Sequence, residues 1–184
     1  MNFNLSDELR ELVGREGTPV TGPDQVCRQM IRHWCEAIED ANPLYSDEDF
    51  ARKSRYGSII SPPAMVQTWS FERLWPDGQE MRYRHPEKSH KTEQIDPAGV
   101  SFNKLSEAGF SATVDVDTTL EFVKPLYPGD TVTVQVKLAN LTPEKKTRLG
   151  SGHFMTYSST YTNQKDEPVC YQTLTIFKFK PTSG

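Results

Sequence analysis

Apolar residues recur at helical spacing in the first half of the chain and at alternating positions in the last third. Val26, Met30, Ile31, Trp34, Cys35 and Ile38 fall on one face of a helix expected over 24–39, the stripe that a helix presents to a core. Thr21, Gly22, Pro23 and Asp24 supply its start signal. Pro43 ends it, because proline donates no backbone hydrogen bond and disfavours the helical region in the residue before it. The stretch Asp40 to Tyr45 is therefore a tight loop after the helix. Upstream, Leu5, Leu9 and Leu12 or Val13 outline a short docking helix, and Gly14 to Gly22 breaks the pattern with three glycines and Pro19.

Downstream, Asp47 to Ser54 reads as a second short helix with Asp47, Glu48 and Asp49 at its positive end, closed by Gly57. Pro62-Pro63 suits the first turn of a buried central helix carrying Ala64, Met65, Val66, Trp69 and Phe71. Between Pro76 and Gly99 the apolar pattern lapses, which predicts a long irregular excursion. Four strands follow, over 118–124, 131–141, 152–163 and 169–180, rich in Val, Thr, Tyr and Phe. Turns at Tyr127-Pro128-Gly129-Asp130, Thr142 to Lys146 and Asn163 to Glu167 separate them. Short turns between consecutive strands make an antiparallel sheet. Helices first and strands after them indicate an α+β domain, with an amphipathic helix laid across a curved sheet.

With 184 residues the chain has room for one domain, 1–184. Hydrophobic residues at 35% and aromatics at 10% are enough for a core. The net charge of −4 lacks the broad positive field that holds a nucleic acid. No run approaches the ~20 apolar residues of a membrane span, and the first residues have acids and no apolar signal core, so the cytoplasm is the expected location. Cys27, Cys35 and Cys170 form no spaced pair; the first two, eight apart on one helix, read as small buried apolar residues rather than metal ligands. No nucleophile triad, phosphate loop, dinucleotide fingerprint or metal motif stands in the sequence.

Trp34 to Tyr45, with Asp47, Glu48 and Ala51 behind it, resembles the hydratase motif of MaoC-like (R)-specific enoyl-CoA hydratases. Phe122-Val123-Lys124-Pro125-Leu126-Tyr127-Pro128-Gly129-Asp130 is similar to the strand-turn of hot-dog dehydratases, as are Lys145-Lys146-Thr147 and Gly150 to Phe154 to their sheet. The resemblance spans about 24–181 and implies a hot-dog fold, a long central helix wrapped by a curved antiparallel sheet. Within the class it is nearest to the N-terminal MaoC-like halves of bacterial heteromeric hydratases of steroid side-chain CoA thioesters, enzymes of lipid metabolism and steroid degradation.

Adding water across a 2-enoyl thioester takes a carboxylate and an imidazole that share one water, so that a proton leaves as oxygen attacks the β carbon. The resemblance assigns those roles to an Asp and to a His five residues later, and here the matching residues are Asp40 and Tyr45. A phenol, with a reference pKa of ~10, is a poor base at neutral pH. The oxygen that becomes negative at the thioester needs backbone N–H groups at a helix start, where the family commonly has glycine. This chain has Ser61-Pro62-Pro63-Ala64, and proline has no N–H.

The resemblance thus implies a lyase subunit that lacks a catalytic residue of its own, Asp40 being a vestigial candidate. It further implies that Asp40, Asn42, Tyr45, Pro63, Ala64 and Trp69 bind the substrate in an acyl pocket, with the Tyr45 ring expected under the acyl chain. Arg82, Arg84, Lys88 and Lys91 are candidates for the CoA phosphates; His33, His85 and His90 read as solvated, and the face of His153 stays open. The cofactor expectation is none beyond the CoA of the substrate. The expected partner is a second hot-dog subunit with an intact motif, in a heterodimer or heterotetramer, because an unpaired copy leaves a sheet edge exposed. The same residues leave open a homodimeric hydratase that uses Asp40. They equally leave open a non-enzymatic acyl-CoA binding or assembly module holding a thiolase or acyl-binding domain, with a further domain after Gly184 in a longer polypeptide.

Overall fold

The structure, a computed structural model, describes residues 5–71 and 96–182. Among these residues six strands form one antiparallel sheet: β1 (Val20–Thr21), β2 (Ala112–Phe122), β3 (Thr133–Leu141), β4 (Lys145–Lys146), β5 (Gly150–Thr162) and β6 (Pro168–Pro181). The order across the sheet is β1-β3-β5-β6-β2, with β4 paired to β5. Four α-helices among the described residues accompany it, α1 (Leu5–Arg10), α2 (Arg28–Ile38), α3 (Glu48–Lys53) and α4 (Pro97–Glu107), and the segment Pro63–Ser70 is a 3-10 helix. The expected α+β class is borne out.

The departures have local causes. Helix α2 starts at Arg28 rather than at residue 24, because the chain before it runs along the sheet: the N–H groups of Gly22 and Val26 donate to the carbonyls of Val132 and Asp130. It ends with Glu39 in the left-handed region (φ 58°). The expected irregular excursion overlaps α4, whose first residue is Pro97, with Asp96 before it. Strand β2 begins six residues earlier than residue 118, where Ala112 pairs with Phe179. Lys145 and Lys146, read as part of a turn, pair with Gly152 and Ser151. The central helix is short, spanning eight residues among those described, with Met65, Val66, Trp69 and Ser70 buried. Cys27 and Cys35 are half-buried rather than buried, while Cys170 is buried.

Residues of β5 and β6 that alternate onto one face carry the helices. Val26, Ile31, Met65, Val66 and Trp69 pack with Leu126, Val132, Tyr161, Val169 and Cys170 in one cluster. Leu9, Leu105, Phe110, Leu138, Met155, Tyr157 and Ile176 form a second beneath α1 and α4. Polar groups in this interior are engaged: the Tyr161 hydroxyl donates to Oε1 of Gln172 at 2.7 Å, and the ammonium of buried Lys178 stands 3.7 Å over the Phe102 ring.

Burial pushes the Tyr157 phenol up to about 12, against ~10 for an exposed tyrosine. Its neutral form is favoured by the fold, so the contribution is complete below pH ~10 and is lost as pH rises through the folded value. We expect stability to fall by about 2 kcal/mol between pH ~10 and ~12 on this account. Urea titrations across that window should show a flatter profile for Tyr157→Phe; an unchanged profile would exclude Tyr157 as the source.

Candidate functional site

The loop after α2 is built by its own side chains. Oδ1 of Asp40 accepts the N–H of Asn42 at 3.0 Å, and Oδ1 of Asn42 accepts the N–H of Leu44 at 3.1 Å. Short acceptor side chains suit such turns. The 3-10 turn Pro43–Tyr45 follows, and Asp47 caps α3 through the N–H of Phe50 at 3.0 Å. Asp40 and Tyr45 are half-buried, and Tyr45 packs against the first core cluster.

Asp40 and Tyr45 line an open cavity of about 450 Å³ together with Arg32, Cys35, Glu36, Glu39, Ala41 and Ser46. No imidazole is among these residues. His33, on the same helix, is exposed and lies 3.9 Å from Glu36, in agreement with the solvated reading. Burial, and then the Asp40 carboxylate, raise the pKa of Tyr45 and likewise that of Cys35. Both neighbours of Asp40 therefore stay protonated at neutral pH, and neither supplies the base that hydration requires. Among the described residues no group of three His, Cys, Asp or Glu is placed to hold a metal ion.

The other end of the expected site lies in a separate cavity of about 390 Å³, lined by Arg55, Tyr56, Ile60, Ser61, Pro62, Pro63 and Val66 on one side. Phe122, Val123, Lys124, Pro125, Leu126, Val169 and Cys170 line the other. The N–H of Ser61 donates to Leu126 and that of Met65 to Pro62, and prolines at 62 and 63 have none to give. The start of the 3-10 helix is thus left with the N–H of exposed Ala64. Trp69 is turned into the core, its Nε1–H donating to Oγ of Ser61 at 2.9 Å; it borders a third cavity with Met30 and Phe71.

The structure therefore brings Asp40 and Tyr45 together and places Pro63 elsewhere, while Asn42 and Ala64 line none of these three cavities. The set from Arg82 to Lys91, with His85 and His90, lies outside the described residues. His153 is half-buried, its Nδ1 2.9 Å from the Thr142 carbonyl oxygen and its ring edge-on to Phe110. Sequence reasoning missed Arg55 and Tyr56 as cavity residues. They follow α3 and meet the ends of β2 and β6 only through tertiary folding; the sole link legible beforehand was the strand-turn segment 122–130. The Tyr127 hydroxyl, donating to the Tyr56 carbonyl at 3.2 Å, fixes that meeting.

No helix among the described residues is long and apolar enough to cross a membrane. Comparison with known proteins adds the family context. Residues 11–172 match the FAS1-like dehydratase domain region. The chain is 35% identical over 174 residues to a probable enoyl-CoA hydratase alpha subunit of Thermomonospora curvata, covering 94% of this chain and 51% of that protein. It is 30% identical over 166 residues to the 3-oxo-4,17-pregnadiene-20-carboxyl-CoA hydratase alpha subunit of Mycobacterium tuberculosis, covering 90% and 49%. The chain thus spans about half the length of these relatives. The ChsH1-ChsH2 complex from Mycobacterium tuberculosis contains a chain that superposes with a TM-score of 0.81 at 27% identity, over 98% of this chain and 94% of that one. The R-hydratase PhaJ1 from Pseudomonas aeruginosa shares the fold, with a TM-score of 0.55 at 15% identity over 94% and 85% of the two chains.

Proposed function

Since the chain belongs to the FAS1-like dehydratase family and has the MaoC-like hot-dog fold, we propose that it is the pocket-forming, chemically incomplete half of a heteromeric enoyl-CoA hydratase. A partner hot-dog subunit supplies the Asp/His pair, and this chain shapes the space for a bulky 2-enoyl-CoA such as a steroid side-chain thioester. The reading is carried by Tyr45, which stands five residues after Asp40, where the family resemblance expects an imidazole, and lines one cavity with Asp40, half-buried. The relatives named as alpha subunits support a division of labour between chains.

The 390 Å³ cavity supports the same division. Its far wall is the end of β2, an edge strand, so a partner docked there would complete it. Two cations stand beside it: Lys124, bonded to Glu167 at 2.6 Å, and Arg55, stacked on the Tyr56 ring at 4.7 Å. Arg55 is suited to an anionic group of the substrate at the mouth, whereas the apolar lining from Ile60, Val66, Phe122 and Leu126 suits the acyl part.

The test uses the chain co-purified with its partner subunit and a 2-enoyl-CoA, followed by loss of the enoyl absorbance. Asp40→Asn keeps an oxygen acceptor for the Asn42 N–H, so the turn survives. We expect kcat/KM of the complex to change by less than about threefold, against the ~10²-fold or larger loss typical of removing a general base. A loss of that size would assign the chemistry to this chain and reject the proposal.

A further inference from the structure

Between the two core clusters, one row of residues crosses the helix-facing side of the sheet and is polar in its middle. Val136 of β3 pairs with Ser159 of β5, Ser159 with Gln172 of β6, and Gln172 with Leu120 of β2. Ser159 and Gln172 are 8% and 6% exposed. Most other buried polar groups are engaged. The hydroxyls of Ser61, Ser70 and Ser101 donate to the carbonyls of Pro62, Gln67 and Ala98, and Lys178 is held by Thr113 and the Phe102 ring.

Ser159 and Gln172 differ. Oε1 of Gln172 accepts the Tyr161 hydroxyl at 2.7 Å, yet among the described residues its amide N–H groups and the Ser159 hydroxyl have no acceptor. Burial raises the pKa of the Tyr161 phenol, and the side chains of Gln67 and Ser159 beside it pull the other way. Four polar side chains thus meet inside an apolar core. Buried donors left without an acceptor destabilise a fold, and a gap lined by them takes either a water or an oxygen of a ligand.

Position separates the two. Phe122 and Cys170, the next pair on the same face of β2 and β6, line the 390 Å³ cavity, as does Val66, the neighbour of Gln67. Two residues of strand rise put Gln172 ~7 Å beyond Cys170, and the side chain between them is only a thiol. A few donors placed at an otherwise apolar cavity fix the orientation and the identity of what enters it.

We propose that Gln172 and Ser159, positioned by Tyr161 and Gln67, form a polar subsite just past the wall of the 390 Å³ cavity that takes an acceptor oxygen, ketone or hydroxyl, carried by the acyl group far from its thioester. The proposal rests on the reading above that this cavity holds the acyl part, and it goes further by naming the chemistry of that part: oxygenated, not plain hydrocarbon.

Calorimetric binding to the chain in complex with its partner subunit decides it. The probes are two saturated steroid side-chain CoA thioesters that differ only in a ring ketone replaced by a methylene. Wild type should bind the ketone at least about fivefold more tightly, the effect of one to two hydrogen bonds. Gln172→Leu should bind the two probes alike. So should Y161F/Q172L, in which both partners of the 2.7 Å bond become apolar and no buried hydroxyl is orphaned. Equal binding by wild type would leave the pair to a structural water and overturn the subsite, as would a preference that persists in both variants. Failure to bind either probe would reject the acyl role of the cavity and the subsite with it. A preference in binding without hydration of a 2-enoyl-CoA sinks the proposed activity alone and leaves the subsite standing.

Discussion

Gly22→Ala is expected to destabilise the chain by about 3 kcal/mol, the upper range of overpacking a core. A Cβ at residue 22 would stand 1.8 Å from the carbonyl oxygen of Trp69 and 2.8 Å from its carbon. Neither side can retreat cheaply. The N–H of Gly22 is bonded to Val132 at 2.9 Å, and Trp69 is locked by its core packing and its bond to Ser61. The displaced element would be the 3-10 helix Pro63–Ser70, whose start walls the 390 Å³ cavity, so substrate affinity should weaken with stability. Gly57→Ala is the control: its Cβ meets nothing within 4 Å, and only the positive φ of 70° opposes it, a cost of about 1 kcal/mol. Urea midpoints for the two variants should differ clearly. Equal midpoints would contradict a close approach of residue 22 to the Trp69 carbonyl.

The second large effect concerns assembly. Phe122 ends β2 with nearly half of its surface accessible and also lines the 390 Å³ cavity. A large aromatic group at a sheet edge has the character of an interface anchor, and truncating such anchors costs about 2 kcal/mol or more of binding. Phe122→Asp, which also adds a desolvated charge, should weaken partner association at least thirtyfold, the factor that about 2 kcal/mol represents. Because the side chain is half exposed, the fold should lose less than about 1 kcal/mol. Calorimetric titration with the partner subunit measures the first and urea denaturation the second. Unchanged affinity would place the partner on another surface.

The helical face of Ile31, Trp34 and Cys35 and the strands after Thr131 were legible because their periodicity reflects burial on one side, whereas Val26 packs into the same cluster from before the helix and Met30 and Ile38 of the expected stripe are exposed. The start of α2 was not: Gly22 and Val26 bond to Val132 and Asp130, just ahead of β3, a tertiary pairing that overrides the local start signal of Thr21 to Asp24. Strand β2 was half seen. Val114, Asp115, Val116 and Asp117 do alternate, but a strand exposed on both faces shows no buried face, and its register with β6 shifts between Asp115 and Asp117. For α4 the signal was present in Asp96-Pro97, masked by the polar stretch before it.

The site was legible as chemistry and not as geometry. The sequence places a tyrosine five residues after Asp40, and with it the missing imidazole. It does not tell that the Asp40 carboxylate is spent on the Asn42 N–H, that Cys35 joins Asp40 and Tyr45 in one cavity, or that Pro63 belongs to another. Those facts depend on how α2, α3 and the end of β2 meet.

The central claim, that this chain shapes a pocket whose chemistry belongs to its partner, is tested most directly by titrating it into a fixed amount of the partner subunit and following hydration of a 2-enoyl-CoA. The account predicts no turnover by this chain alone, a rate that climbs with added chain and levels off at one copy per partner, and a rate that vanishes when the partner's motif histidine is replaced. Turnover by this chain alone at a rate comparable to the complex would contradict it.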